Sequence, residues 1–460
     1  MKKRFTKSAA AAVSITLLLT GGCSSSGTGT TAPAETSAAV SQAETTEEAK
    51  ESPAEQTNAP EAETQQPESG QVQAKSEASD AAYLKEYFDV EIAADTLDAA
   101  EFSENLKKIA GEEAPEVEGE LTWAKAVQAA VEAADYKELA LSYPEEKVAA
   151  RLEAYGVAAP SDEAYGAAIA CGLDVDLITP EDGSRAAAED TMTAEDAERL
   201  LMNIAEANGD GRNYLGMASD PDIYGKVDQA WNSFILFDDE ALSQVGKTAV
   251  EQQVTTGYSI KSAAYDARFL PELTIQYGHS DIKHAHQLIG LLNSENIDAK
   301  IQLEPKVSIY QYLLDWGPVP EATPTYEVKQ FDDLYLVYAV EYDMKLEFDN
   351  TEDLMRFDSV IKEYAKKNAG NEEAEGLIYA SWWQPLYTTT RTDMPAEDYH
   401  LIYDCVVTNG MYSINPFTLP ENKDQVVAKL KELAGDLEVT PVERYCNTAF
   451  YSYLKGEDYQ

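Results

Sequence analysis

The stretch VEYDMKLEF at Val340–Phe348 alternates large apolar side chains with charged ones. Successive side chains of a β-strand point to opposite faces, so this period of two predicts a half-buried strand. Asn350 then stands where a helix N-cap is expected, and apolar residues recur at helical spacing from Leu354 to Tyr364. The segment therefore predicts one strand followed by one helix.

Similar units occur on both sides of this stretch. The predicted elements are strands at 273–277, 300–303 and 399–407, and helices at 281–295 and from Pro420 to a stop at Gly435. Repeated strand–helix units predict an α+β fold, with helices packed on one face of a mixed sheet. We assign this region to residues 206–460, as one large domain or two small ones.

Residues 81–205 predict a small all-helical module. Thr122 and Thr193 each precede an apolar helical repeat, as N-cap residues do. Between them, the alanine-rich stretch Tyr165–Leu173 predicts a helix that ends at a glycine C-cap.

The order of these three stretches resembles that of S-layer homology modules, over residues 121–197. The resemblance implies a module that contacts the cell wall, with a wall polymer or glycan as partner. Those modules bind their polymer with an Arg directly after the capping Thr, where this chain has Trp123 and Ala194. A degenerate, purely structural module is therefore the alternative.

The beginning of the chain has the order of a secretory signal. Four of the first seven residues are basic, an apolar run follows at 9–19, and small residues lead to Cys23. The run is about half the length that a membrane-spanning helix requires. Residues 1–22 are therefore predicted to be a signal peptide rather than a permanent span.

The residues around Cys23 resemble the lipobox of bacterial lipoproteins, with Thr20 where leucine is usual and Leu19 one place early. The resemblance implies that Cys23 becomes the mature N-terminus and carries diacylglycerol and a further acyl chain such as palmitate. The protein would then be held by the membrane on its extracytoplasmic face. Ordinary signal cleavage, with release of a soluble protein, is the alternative.

Residues 23–80 predict a disordered acidic tether. They contain no Phe, Trp or Tyr and are rich in Ala, Glu, Thr, Ser, Gln and Pro. Such a segment cannot bury enough apolar surface to offset the entropy lost on ordering. It would hold the folded part away from the membrane, within the cell wall.

Charge and cysteine content limit the partners and the covalent framework. The formal net charge of −48 argues against nucleic acid as a partner, because such binding depends on Lys and Arg at phosphates. Beyond Cys23, only Cys171, Cys405 and Cys446 remain. Three buried thiols are expected, with a Cys405–Cys446 disulfide as the alternative.

Three of the four histidines lie within eight residues and suggest a divalent metal ion as cofactor. The candidate ligands are His279, Asp281, His284 and His286. If 281–295 is a helix, His286 points about 160° away from His284, so a metal site would need local unwinding or His279 folding back. A helix N-terminus should keep His284 neutral. A helix start with solvent-facing histidines is the alternative.

Adjacent tryptophans give a second candidate site. Trp382, Trp383 and Tyr387 lie in the aromatic stretch YASWWQPLY, and two neighbouring strand residues cannot both face one core. One indole should therefore contact a ligand such as a sugar ring. Packing of both rings inside, after a bend at Pro385, is the alternative.

The chain has no sequence signature of a hydrolase nucleophile, a zinc protease, a phosphate-binding loop or a dinucleotide fold. We therefore expect a non-catalytic, lipid-anchored envelope protein that binds a cell-wall glycan, a peptide or another envelope component, or acts as a scaffold for one. A metal-assisted hydrolase and a solute-binding lipoprotein of a transport system are the alternatives.

Overall fold

The computed structural model describes residues 78–93, 97–331, 334–364, 387–389 and 398–457, with residues 387–389 described by their backbone alone. All of them belong to one compact unit. The described part of the chain forms fourteen α-helices and eleven β-strands, which confirms the α+β class. The predicted signal peptide, Cys23 and residues 24–77 of the predicted tether lie outside the described residues. The last three residues of the predicted tether, 78–80, lead into a helix whose N-cap is Ser79.

Helices make up the first part of the described chain. They are α1 Asp80–Phe88, α2 Ala99–Ala110, α3 Trp123–Ala133, α4 Lys137–Leu141, α5 Glu145–Ala154, α6 Gly166–Asp174, α7 Pro180–Ala188 and α8 Ala194–Ala207. Their facing sides bury an apolar core whose members all lie between Tyr83 and Ala205. The helical region therefore has an apolar core of its own.

The predicted Thr caps behave differently from each other. Thr193 precedes α8 and forms a capping box with Asp196, and Thr179 forms the same box with Asp182 before α7. Thr122 also stands at the N-cap position of α3, but its hydroxyl makes no capping hydrogen bond. The prediction of helix starts after Thr122 and Thr193 is confirmed, and capping by the Thr122 side chain is not.

The predicted glycine end of the alanine-rich helix is wrong. Helix α6 continues through Gly172 to Asp174, and the left-handed residue that follows is Asp176. A Cβ on Gly172 would lie 3.2 Å from Cγ1 of Ile178 and 3.6 Å from Cγ1 of Val127. This glycine is therefore used for close packing inside the core and not for a helix end.

Eleven strands follow in the described residues, and every pairing between them is antiparallel. They are β1 Gly216–Met217, β2 Gly257–Ser262, β3 Thr274–His279, β4 Lys300–Gln311, β5 Tyr326–Phe331, β6 Leu334–Glu347, β7 Tyr387–Thr389, β8 Tyr399–Asn409, β9 Tyr412–Ile414, β10 Phe417–Thr418 and β11 Glu438–Asn447.

The sheet curls until it closes into a ring. Pairings run in the order β4–β2–β9–β8–β11–β7–β3–β6, and β6 pairs with β4 to complete the circuit. Strands β3 and β4 both pair with β6, which lies between them, and they are joined by a helix. This split arrangement explains why strand–helix units suggested a sheet of mixed direction although neighbouring strands are antiparallel.

Six further helices accompany the sheet in the described residues. They are α9 Ile223–Ser233, α10 Glu240–Glu251, α11 Ile282–Ser294, α12 Thr351–Tyr364, α13 Lys423–Ala434 and α14 Thr448–Lys455. Apolar residues of α9, α11 and α12 pack on β3, β4 and β6, and those of α10, α13 and α14 pack on β2, β8 and β11. Asn350 caps α12 by accepting from the Asp353 N–H at 3.0 Å, as predicted.

Helix α1 contacts the sheet-bearing region. The Tyr83 hydroxyl donates to the carbonyl of Asp210 at 3.0 Å, and the Tyr87 hydroxyl donates to that of Phe269 at 2.7 Å. The guanidinium of Arg212 lies 4.4 Å from the centre of the Tyr83 ring, and its Nε donates to Glu347 at 2.7 Å. These contacts join the helical region to the last residue of β6.

Strand β6 is confirmed, but the prediction that it is half-buried is wrong. Its charged residues Glu341, Asp343, Lys345 and Glu347 are as buried as the apolar residues between them. The apolar set packs under the helices, and the charged set faces the other way. That second face is also buried because the sheet closes on itself.

Candidate functional site

The predicted histidine cluster lies where β3 meets α11. The imidazole rings of His279 and His284 stack with their centres 3.7 Å apart, so His279 does fold back. The His284 Nδ1 atom lies 2.7 Å from the Tyr277 hydroxyl. The His279 Nδ1 atom accepts from the Asp281 N–H at 2.8 Å.

Both stacked histidines are held neutral. Burial lowers the pKa of His279 to about 3 and that of His284 to about 4, and the cationic Lys306 adds to the effect on His279. The prediction of a neutral His284 has the right direction, but the main cause is burial rather than the helix N-terminus.

The structure does not bring the four predicted ligands together. The Asp281 carboxylate caps α11 by accepting from the Lys283 N–H at 2.9 Å. His286 points to α9, where its Nε2 lies 2.9 Å from Asp228. Because residues two apart on a helix face nearly opposite ways, His284 and His286 cannot share one ion. Within the described ranges, no group of three or more His, Cys, Asp or Glu side chains is arranged to hold a metal.

The aromatic candidates lie mostly beyond what the structure describes. Trp382 and Trp383 are outside the described residues. Tyr387 begins β7, where its backbone pairs with Tyr277 of β3. The predicted ligand contact by these rings therefore stays a prediction.

A set of buried charged side chains on the inner face of the ring was not predicted. We call it the inner polar cluster, and each member is at most 4% exposed. Its members are Lys261 of β2, Glu304 and Lys306 of β4, Glu341, Asp343 and Lys345 of β6, Asp404 of β8 and Arg444 of β11. Four basic groups are thus enclosed with four carboxyl groups, so their formal charges balance. Glu347, on the same face of β6, is paired separately with Arg212 and Lys300.

Asp343 forms the centre of one half of this cluster. Its carboxylate accepts from Lys306 at 2.7 Å and is also paired with Lys261. Burial alone would raise the pKa of Asp343, but the two ammonium groups outweigh burial and lower it. Asp343 is therefore an ionised carboxylate held between two cations.

Glu304 connects this centre to the rim of the ring. It lies 2.7 Å from the Lys345 ammonium and 3.3 Å from that of Lys261, and it accepts from the Ala267 N–H at 2.9 Å. Lys345 in turn lies 3.3 Å from Asp266, whose side chain is 21% exposed. Asp266 therefore lies between the cluster and solvent.

Two carboxyl groups of the cluster ionise near neutral pH. Burial raises the pKa of Glu341 to about 7, although it accepts from the Ser308 hydroxyl at 2.7 Å. Burial also raises the pKa of Asp404 to about 7, against the opposing charge of Arg444. The Asn415 side-chain amide donates to both Asp404 oxygens, at 3.4 and 3.3 Å. These two groups make the charge of the ring interior sensitive to pH.

Arg444 is the least satisfied member of the cluster. Its Nη1 donates to the carbonyl of Glu443 at 3.2 Å, but its buried Nε and Nη2 have no hydrogen-bond partner. Burial lowers its pKa to about 10. The Ser259 hydroxyl and the Gln276 side-chain nitrogen are also buried without a partner. The inner face therefore presents unused hydrogen-bonding groups on three strands.

A sequence signal for the inner polar cluster exists in β4. Gln302, Glu304, Lys306 and Ser308 alternate with apolar residues there, just as the charged residues of β6 do. Side chains of opposite charge on neighbouring strands interact when they are directly opposite or diagonal, as Lys306 is to Glu341 and to Asp343. Arg444, by contrast, has no such signal, because its neighbours in β11 do not alternate.

The helical region holds a second charged group, around Trp123. Arg185 makes a bidentate ion pair with Asp196, at 2.8 and 2.7 Å, and Arg199 donates to Asp182 at 2.7 Å. Both guanidinium groups lie over the Trp123 ring, 5.0 and 5.7 Å from its centre. The two partly exposed arginines thus join the beginnings of α3, α7 and α8.

The three cysteines in the described residues are buried free thiols. This confirms the expectation of three thiols, and the alternative Cys405–Cys446 disulfide is wrong. Although β8 and β11 are neighbours, Cys446 pairs with His400, and Cys405 pairs with Pro441. The two thiols are therefore out of register.

In the part of the chain that the structure describes, no helix combines the length and the apolar character needed to cross a membrane. No family model matches the sequence, and neither the curated proteins nor the solved structures contain a match to this chain.

Proposed function

We propose that this chain is a non-catalytic binding protein of the cell envelope, anchored by lipid on the extracytoplasmic face of the membrane. In this proposal, the sheet-bearing region holds a small polar ligand inside its ring. The observation that carries it is the buried polar inner face of the ring, where Arg444 of the inner polar cluster and the side chains of Ser259 and Gln276 keep hydrogen-bonding groups unused.

The buried charges of the ring are an energetic reason to expect a ligand there. Burying ionised groups is often no more stabilising than apolar packing of the same volume. A closed ring of eight strands can be filled by apolar side chains, but it can also hold one small ligand. A polar interior with unused donors is what a ligand with complementary acceptors requires. A small solute is therefore favoured over a long polymer as the occupant of the ring.

The cellular location in this proposal comes from the sequence. The basic, apolar and small-residue order before Cys23 supports export, and the lipobox resemblance supports acylation of that cysteine. At least two acyl chains are needed for stable anchoring, which a lipoprotein cysteine supplies.

Contact with a wall polymer is a second role, assigned to the helical region. Arg185 and Arg199 keep 29% and 37% of their side chains exposed over Trp123. Guanidinium groups of this kind suit anionic polymers. Asp182 and Asp196 compete with the polymer for both arginines, so the contact with the polymer would be weak.

Labelling of cells with an alkyne-tagged palmitate tests the anchor. The full-length protein should be labelled, recovered with membranes and digested by protease added to intact cells. Cys23→Ala should lose the label and the membrane association. An unlabelled wild-type protein, or one protected in intact cells, would contradict the proposed location.

Native mass spectrometry of the full-length protein tests the ligand. Protein incubated with a mixture of small polar envelope solutes should carry a non-covalent adduct that is lost on denaturation. Arg185→Ala, which alters the helical region, should keep the adduct. Absence of any adduct across the mixture would contradict a binding role for the ring.

A further inference from the structure

Arg444 offers a specific kind of binding site inside the ring. Its free nitrogens, Nε and Nη2, form one edge of the planar guanidinium group. This edge presents two parallel N–H donors, a geometry that matches the two oxygens of a carboxylate. The whole residue is 1% exposed, so bulk water does not take the place of a partner. Leaving such a group without a partner costs free energy.

The two carboxyl groups that act electrostatically on Arg444 do not fill this place. Asp404 influences Arg444 electrostatically, but its two oxygens accept from Asn415 instead. Asp266 also influences Arg444 and accepts from Lys345. Both acids therefore lie near the guanidinium group while its Nε and Nη2 stay free.

The other unused groups lie around the same part of the ring. The Asn415 N–H donates to the carbonyl of Ser259 at 3.1 Å, which links Ser259 through Asn415 to Asp404. On the other side, Gln276 of β3 and Cys446 of β11 both pair with Thr388 of β7. Gln276 is therefore one strand away from the segment that carries Arg444.

From this arrangement, and resting on the proposed binding function, we propose that Arg444 binds the carboxylate of a small ligand through Nε and Nη2. Gln276 and Ser259 supply further hydrogen bonds to the ligand.

The charges of the ring select the class of anion. At a pH at which Glu341 and Asp404 are ionised, the eight charged groups of the cluster balance, and a carboxylate adds one negative charge to them. A phosphate dianion would add two, and Asp343, Asp404, Glu304 and Glu341 would repel the larger charge more strongly. The ligand is therefore a monocarboxylate.

Nuclear magnetic resonance of the full-length protein labelled with 15Nε-arginine tests this assignment. The Arg444 signal is identified by its loss in Arg444→Lys. Acetate should shift it in a saturable way, and inorganic phosphate at equal concentration should not. The signal of Arg212, whose Nε is already paired with Glu347 at 2.7 Å, serves as an internal control and should stay in place.

A second variant keeps the test independent of folding defects. Asp404→Asn has the same shape and removes a competing negative charge, so above pH 7 it should bind acetate on the order of tenfold more tightly. The groups that face Asp404 are Arg444, Lys261, Asp343 and Asn415, and none of them changes.

The proposal would be overturned if the Arg444 signal did not shift with acetate at high millimolar concentration, or if it shifted with phosphate instead. So would an unchanged affinity in Asp404→Asn. These outcomes differ from failure of the binding function itself, in which no envelope solute of any kind would form an adduct.

Discussion

Glu341 shows how a single residue of the inner polar cluster makes stability depend on pH. Burial raises its pKa to about 7, whereas a Glu in an unfolded chain ionises near about 4.3. The folded protein therefore binds this proton more tightly. The stability that results is complete below about pH 4.3 and is lost as the pH rises through 7.

Glu341→Gln should remove this loss. The amide keeps the size of the side chain and can still accept from Ser308. The difference in free energy of unfolding between the variant and wild type should shift in favour of the variant by on the order of 2 kcal/mol when the pH rises from 5 to 8.5. Urea unfolding at both pH values measures the difference, and a difference that is the same at pH 5 and pH 8.5 would contradict the raised pKa.

Lys306 tests whether the charges of the cluster act as a unit. It is fully buried and lies 2.7 Å from Asp343, which keeps only Lys261 when Lys306 is replaced. Lys306→Met should destabilise the protein by about 3 kcal/mol or more, because a buried carboxylate loses half of its compensation.

The exposed pair Lys429–Glu432 provides the matched control for this change. Its two atoms lie 2.8 Å apart, but both side chains are largely in solvent. Lys429→Met should change the free energy of unfolding by less than about 0.5 kcal/mol. Equal losses of unfolding free energy in the two variants would show that the ion pairs inside the ring contribute no more to stability than an exposed pair does.

At the scale of elements, the fit of α10 on β2 depends on Gly246. A Cβ at this position would overlap the ring of Tyr258, which is buried between the helix and the strand. Gly246→Ala should therefore cost about 2 kcal/mol in urea unfolding, in spite of the better helix propensity of Ala.

Gly290 of α11 is the control, because a Cβ there would approach only the Tyr224 hydroxyl, at 3.6 Å. Gly290→Ala should stabilise the protein by up to about 1 kcal/mol. If Gly246→Ala were also stabilising, the close contact between α10 and β2 would not exist in solution.

The elements themselves were predictable where their signals are local. The alternation before Phe348 correctly predicts β6, and Asn350 correctly predicts the beginning of α12, because both depend on neighbours in the sequence. Gly172 misled the prediction, since a glycine used for packing against Ile178 looks the same in a sequence as a glycine that ends a helix.

The site was much harder to predict than the elements. Closure of the ring depends on pairings between distant segments, such as β3 with β7 and β4 with β6. Only this closure buries the charged face of β6, which a single strand would expose. The histidines stood out in the sequence because of their type, whereas Arg444 has no local feature that distinguishes it from a surface arginine.

At the scale of the whole molecule, we assign different tasks to three parts of the chain. The sequence before the described residues supports a lipid anchor and a tether, and the proposed wall contact belongs to the arginines of the helical region. The ring is the part to which we assign the ligand. If this division holds, a ligand should stabilise the strands of the ring and leave the helical region unchanged.

Hydrogen exchange of the full-length protein, with and without the small-molecule fraction of an envelope extract, tests this claim most directly. We expect slower exchange in β2, β3, β8 and β11, whose inner residues line the ring, and no slowing in Arg444→Lys. Unchanged exchange in these strands, with changes confined to α1–α8, would contradict it.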